Sequence, residues 1–395
     1  MRTRLLAVLV ALSSACHRGP SFTFEQPGRS LGEHTADPVG LVRASGHIAE
    51  LVTEVAGEGR DLVLHHSDGG DAYQRGERVN EIAGEVVSRA EATPQLLAGP
   101  GMRLCALWLA RPAGSAGGIR LRCSRDFGEH WQAAVTVPTG SGRPPSFFAG
   151  AVSPSGALVV TWFAHGATGL PGTAQLWLAS SEDGAFFAPP GRIAIDVCPC
   201  CRPALAGARG TLYLAYRGVD ARSCRDIVAR KSGDGGRTWS DPVRVSRDDW
   251  RVDGCPHSGP ALAADGDRLA VAWLTVADER SRLFWAESRD GGRQFTPRRP
   301  LGARVLDPNH PSLAFLAGNL IATYEARDAD EADGWGTRRA WLEDVESRTV
   351  LPVPGSGGAG YPRLAALSAG ALLTSWTQRE GEVTQARLSR VRIAR

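Results

Sequence analysis

The chain has 395 residues, 47 of them glycine and 25 proline, and a formal net charge of +3. Basic and acidic residues nearly balance, at 45 and 42, and Lys231 is the single lysine, so no basic face for nucleic acid is indicated. The length exceeds that of most single domains, yet it suits one closed domain built by repetition of a turn-rich unit.

Arg2 and Arg4 precede a short apolar run, Leu5 to Leu12, followed by small residues and Cys16. The run is too short to span a bilayer and reads as a signal peptide. Ser14-Ala15-Cys16 resembles a bacterial lipobox, in which the cysteine becomes the lipidated amino terminus. Ser13 stands where such boxes usually carry leucine, and an ordinary signal peptide cleaved nearby is the alternative. Residues 17–36 read as a polar tether with a ring-closing strand, and no other apolar run is long enough to cross a membrane. These features predict an exported chain anchored by lipid in the bacterial cell envelope, touching membrane through that anchor only.

From residue 37 onward one plan recurs. Pro94 to Trp108, Ala149 to Trp162, Pro203 to Tyr216, Pro260 to Trp273, Pro311 to Tyr324 and Pro362 to Trp376 each hold a strand of small apolar residues, a glycine-containing turn, and an apolar strand ending in Trp or Tyr. A third strand follows, such as Ile227 to Lys231 or Leu283 to Glu287, and then a fourth, such as Pro242 to Ser246. Four strands per repeat make a propeller blade. The amino-terminal stretch adds a hairpin, His47 to Val55 with Leu62 to His66, after an inner strand Val39 to Ala44. The chain ends on a third strand, Val383 to Ile393, whose missing partner is Ser21 to Gln26. The expectation is all-β: a single propeller over residues 37–395, with seven four-stranded blades favoured over six.

Between third and fourth strands a phrase repeats: Ser124-Asp126-Gly128-Trp131, Ser232-Asp234-Gly236-Trp239 and Ser288-Asp290-Gly292-Phe295. Degenerate copies are Ser181-Glu182-Asp183-Gly184 with Phe187, and His66-Asp68-Gly70-Tyr73. Asp and Ser side chains hydrogen-bond nearby backbone, and Gly supplies a positive φ, so the phrase is a hairpin turn. It resembles the Asp-box of the sialidase-like (BNR repeat) propellers. That resemblance implies a structural box on the rim, away from the ligand face.

Cysteine and histidine gather where the chain runs into inner strands. Cys198, Cys200 and Cys201 precede Pro203; Cys255 and His257 precede Pro260; His310 precedes Pro311; Tyr361 precedes Pro362. Propeller topology collects these loops at one end of the channel, and Cys224 lies in a second-to-third-strand loop on that same face. Thiolates with imidazoles suit copper or zinc, whereas disulfides are the alternative in an exported protein. Adjacent Cys200 and Cys201 are hard to place on one ion, so at least one is assigned to a disulfide. Cys105 and Cys123 fall on paired strands, as a local disulfide or as buried thiols.

Sialidases bind the substrate carboxylate with three arginines, the first in a Phe/Tyr-Arg-Ile-Pro motif. That motif is absent here, and Arg43 is the nearest amino-terminal candidate. Arg202, Arg217, Arg225 and Arg363 occupy ligand-face positions. The resemblance implies a tyrosine nucleophile polarised by a glutamate, roles that Tyr361 and Glu325 would fill. Asp226 is expected to pair with a local arginine rather than serve as an acid. Two functions stay open: a surface protein binding a small-molecule or glycan ligand on a Cys/His/Arg-lined face, with a soft metal or redox centre, and an exo-sialidase-type glycoside hydrolase.

Overall fold

The computed structural model describes residues 20–42, 46–69, 72–89, 91–111, 117–140, 144–153, 155–164, 174–252, 254, 256–329, 336–368 and 370–394. Cys16, Arg43, Gly70 and Cys255, and with Cys16 the whole leader, lie outside these residues.

The described residues form strands and no helix. Five four-stranded antiparallel sheets are present, each a meander in chain order except the one containing the carboxyl terminus. A further sheet of nine strands divides into two groups, Thr35–Val42 to Gln74–Arg78 and Gln95–Ala98 to Val135–Thr136, bridged by the two-residue strand Val86–Val87. The last sheet takes its outer strand from the other end of the chain: Ser21–Glu33 lies antiparallel on Val383–Ala394, from Ser21 opposite Ala394 to Glu33 opposite Gln385. This amino-terminal strand is longer than Ser21 to Gln26, and the first inner strand is Thr35–Val42 rather than Val39 to Ala44.

The repeated aromatic that closes each second strand is the core of its sheet. Trp108, Trp162, Tyr216, Trp273, Tyr324 and Trp376 are all buried. They sit in apolar clusters with the small residues of neighbouring inner strands; Ala261 and Ala263, for example, share a cluster with Tyr324. Alanines pair with alanines where first and second strands meet, Ala204 with Ala215 and Ala261 with Ala272. Small side chains let successive sheets approach edge to edge, while the aromatics supply most of the buried apolar area.

The box turns have the hydrogen bonds their sequence calls for. Ser232 donates from its hydroxyl to Asp234 at 2.7 Å and accepts from the amide of Gly236 at 2.8 Å. Asp234 accepts from the Thr238 hydroxyl at 2.6 Å and its amide at 2.9 Å, which holds its carboxyl well below the ordinary range. Gly236 has φ 96°, a left-handed conformation that a Cβ would strain. The Ser124 and Ser288 copies repeat the pattern. Each turn joins a third strand to a fourth, so antiparallel pairing puts it at the end of the sheet opposite the loops that lead into inner strands.

Candidate functional site

The inner strands of the sheets enclose a cavity of about 210 Å³, lined by Val39, Gln95, Gly150, Arg202, Leu262, Ser312 and Arg363 among others. Three of these strands are irregular at the same place. Pairing slips between Ala36 and Val39, between Asn309 and Ser312, and between Gly360 and Arg363. At each slip a residue followed by proline takes a positive φ: Asp37 at 53°, His310 at 47° and Tyr361 at 54°. His257, before the inner strand of another sheet, has φ 48°. A non-glycine residue held there costs about 1–3 kcal/mol, and such strain clusters where side chains are aimed for a purpose.

Glu325 anchors this end of the channel. It is buried and accepts from the Tyr361 amide at 2.6 Å and from Arg338 at 3.3 Å, with the His310 Nδ1 at 3.0 Å. Burial alone would raise its pKa. The His310 contact, the Tyr361 amide and Arg338 outweigh burial and hold the carboxylate below its ordinary value. The His310 and Tyr361 rings lie 4.1 Å apart between centroids, tilted by 34°. The second nitrogen of His310 faces the backbone oxygen of His257 at 3.3 Å. Burial, followed by the charges of Glu325, Glu91 and Asp37, pushes the Tyr361 phenol up to about 12.

Arg202 and Arg363 both line the cavity. Burial and then the like charge of Arg202 bring Arg363 down to about 9, with Glu91, Asp37 and Tyr361 opposing. Arg363 donates to the Thr93 hydroxyl at 3.0 Å. Burial also lowers Arg202, whose Nε has no hydrogen-bond partner among the described residues. Glu91 is the fixed acid of the pair: it accepts from the amides of Arg202 at 3.1 Å and Gly259 at 2.6 Å. A Cβ on Gly259 would stand 2.2 Å from the Arg202 carbonyl oxygen, so only glycine permits this approach.

The other two arginines do not reach the channel. Arg217 is fully buried and donates to three backbone oxygens, those of Arg225, Ser258 and Leu274, with its guanidinium over the Trp250 ring. Arg225 is buried too, with a guanidinium nitrogen 3.3 Å from the Cys198 sulfur. As ligand-binding arginines they are corrected to packing and thiol-facing residues, because their donors point into the protein.

The cysteine and histidine cluster separates in the same way. Cys198, Cys200 and Cys201 are buried with their sulfurs all within 4.8 Å of one another. The adjacent Cys200 and Cys201 thus lie in one small volume, both as free thiols, where their spacing suggests that at least one enters a disulfide. Hydrogen bonds from Cys200 and Cys201 hold the Cys198 thiol far below its usual value, and burial pushes Cys201 up. No histidine joins this group among the described residues. His310 has one ring nitrogen against Glu325 and the other against a carbonyl, which leaves neither for a metal. His257 lies across Phe147, ring centroids 6.2 Å apart, and Phe147 itself packs on the three cysteines. Cys224 is a separate buried free thiol. Cys105 and Cys123 form a disulfide.

A larger groove, about 450 Å³, runs along Ile195, Tyr216, Cys224, Asp226 and Arg244. Of its three aspartates, Asp196, Asp220 and Asp226, the last accepts from the amides of Asp248 and Asp249 and pairs with Arg244 at 3.4 Å. The channel mouth, by contrast, joins charged side chains from separate blades, Arg202 and Arg363 among them.

Sequence reasoning did not single out Asp37, Glu91 or Thr93. The repeated X-Pro step, Asp37-Pro38 beside His310-Pro311 and Tyr361-Pro362, is the signal that points to Asp37. Glu91 carries no comparable signal, since an acid in a loop is ordinary.

No protein-family model matches the chain, and no curated sequence matches it. Its fold has clear relatives among solved structures. A polysaccharide lyase, an ulvan lyase bound to -[GlcA(1-4)Rha3S]-, is 10% identical, with a TM-score of 0.58 over 91% of this chain and 94% of that one. An α-L-arabinanase of Penicillium chrysogenum complexed with arabinobiose is 14% identical, with a TM-score of 0.52 over 93% and 98%. A Hadza microbial sialidase is 17% identical, with a TM-score of 0.50 over 86% and 74%. Identities this low speak to architecture alone, and what they show is that this chain folds as a sialidase-like β-propeller.

Proposed function

We propose that this is a seven-bladed propeller, anchored in a bacterial cell envelope by lipid on Cys16, whose channel mouth binds a carboxylate-bearing sugar. The blade count is supported by seven groups of four strands. Their inner strands touch in one cycle: Thr35–Val42, Gln95–Ala98, Phe148–Val152, Ala204–Ala208, Ala261–Asp265, Val305–Leu316, Ala359–Ser368 and back to the first. The anchor rests on the leader sequence.

The ligand reading is carried by one observation: Arg202 and Arg363 converge in the cavity with their charged forms disfavoured by burial. A carboxylate offers each guanidinium a charge-assisted, bidentate partner and relieves their mutual repulsion. The stacked His310 and Tyr361 rings supply a flat face beside them. The neighbours of this fold include proteins solved with saccharides, one of them containing a uronic acid, which favours a sugar as the carrier of the carboxylate.

The test is calorimetry with glucuronate-containing oligosaccharides and sialyllactose, against their neutral counterparts. Binding should be confined to the acidic sugars, and Arg363→Ala should weaken it by roughly 10–100-fold, the loss of one charge-assisted contact. Equal binding of neutral sugars would end this reading.

The hydrolytic alternative is favoured by the adjacency of Glu325 and Tyr361. It is opposed by the phenol, which at about 12 is rarely ionised near neutral pH. Release of the aglycone from an aryl sialoside, abolished in Tyr361→Phe, would decide for it.

A further inference from the structure

The chain between the outer strand Gly191–Val197 and the inner strand Ala204–Ala208 folds three thiols into one small volume. It is pinned where the Cys198 amide donates to the Arg217 carbonyl at 2.9 Å. Cys198 and Cys200 sulfurs stand 3.4 Å apart, and Cys198 and Cys201 sulfurs 3.8 Å apart. Phe147 and Val219 wall the cluster, and all three cysteines are buried. Three buried thiols facing one another and a guanidinium are a donor set.

We propose that Cys198, Cys200 and Cys201 form a three-coordinate thiolate site for a monovalent soft cation, Cu(I). Three sulfurs each about 2.3 Å from a central ion lie roughly 4 Å apart. The two Cys198 separations, 3.4 and 3.8 Å, require only a small expansion to reach that spacing, and the third pair lies within 4.8 Å. Thiolates select Cu(I) by softness. Zinc takes four ligands in closed sites, and no histidine or carboxylate joins the three sulfurs among the described residues. Charge points the same way. Three thiolates and Cu(I) carry two net negative charges, and two buried cations attend the cluster: Arg225, 3.3 Å from the Cys198 sulfur, and Arg217, which donates to the Arg225 carbonyl and accepts at its own carbonyl from the Cys198 amide. A divalent ion would leave one positive charge uncompensated in an apolar pocket. Binding forms three Cu–S bonds, and every thiol proton still present leaves to solvent without any change in oxidation state. The site is separate from the sugar-binding mouth, so neither proposal stands on the other.

The experiment uses the whole protein, reduced and kept free of oxygen, titrated with Cu(I) supplied as its bicinchoninate complex. One Cu(I) per chain should be retained through desalting, with X-ray absorption showing sulfur neighbours and no nitrogen. An equimolar amount of Zn(II) should not displace it, and bound Cu(I) should raise the melting temperature. Cys201→Ala should lower the affinity by more than tenfold, whereas Cys224→Ala should leave it unchanged. Should Cys201→Ala fail to fold, Arg225→Met keeps the thiols and should still loosen the ion. The proposal is overturned if fully reduced protein retains no copper, if Zn(II) displaces it, if nitrogen neighbours appear, or if both Cys201→Ala and Arg225→Met bind as the wild type does.

Discussion

The carboxylate of Glu325 accepts a 2.6 Å hydrogen bond from the backbone amide of Tyr361, so this acid secures the left-handed backbone that aims the tyrosine ring. The same carboxylate binds His310 and Arg338, so groups from two inner strands and one loop meet on one buried side chain.

Glu325→Ala removes the acceptor of the Tyr361 amide and the partner of His310 and of the partly exposed Arg338, which keeps its bond to the Asp307 carbonyl. The expected loss is about 1–3 kcal/mol, the scale of leaving a buried donor unsatisfied. The pH dependence has a defined sign. Because the folded carboxyl lies below its ordinary value of 4.5, its contribution is present above that pH and is lost as pH falls through the folded pKa. Urea midpoints of wild type and Glu325→Gln, compared from pH 7 down to pH 3, should converge at the acid end. Curves that stay parallel would show that Glu325 is not held ionised.

Asp234→Ala removes the acceptor for the Thr238 amide and hydroxyl far from the channel. It should cost roughly 1–3 kcal/mol while sugar affinity per folded molecule is untouched. A selective loss of binding at unchanged stability would contradict a purely structural box.

Glu50 is a buried acid on the strand His47–Ala56, and burial, opposed by Ser375, pushes its carboxyl up to about 8. Here the sign is reversed. Between 4.5 and 8 the native state keeps a proton that the unfolded chain has released, so stability is full below 4.5 and declines as pH rises toward 8. Glu50→Gln should flatten that decline, giving a higher melting temperature than wild type at pH 8.5 and little difference at pH 4.5. A wild-type melting curve that does not soften over this range would count against a protonated Glu50.

Deleting residues 17–30 removes most of the strand that covers Val383–Ala394 and exposes an apolar sheet edge. The truncated protein should melt at lower temperature and self-associate at concentrations where the full chain does not. An unchanged melting temperature would mean that the terminal pairing contributes nothing to the fold.

The architecture was legible because its signals repeat. Each buried Trp or Tyr recurs at the end of a second strand, and each complete box closes a hairpin with the same bonds. The site was legible only in outline. Arg202, Arg363, Tyr361, His310 and Glu325 come together as their positions before or after inner strands imply. Arg217 and Arg225 hold equivalent positions in sequence, but position gives the face and not the direction of a side chain. The positive φ at Asp37, His310 and Tyr361 was hidden because none is glycine, and proline after each reads as an ordinary strand start. The convergence of the Cys200 and Cys201 sulfurs was not legible, because neighbours in a turn, unlike neighbours in a strand, can direct their side chains to one side.

Ser21 and Ala394 are hydrogen-bonded across 373 residues of chain. Bringing such distant segments together costs on the order of 5 kcal/mol of loop entropy beyond a constant term, and that cost is met only when the final strand exists. The first strand of a nascent chain therefore waits for its partner until the final strand has been made. Completion of the fold is timed by the arrival of the last dozen residues, and any chain that stops short of them presents the same open edge at both of its ends.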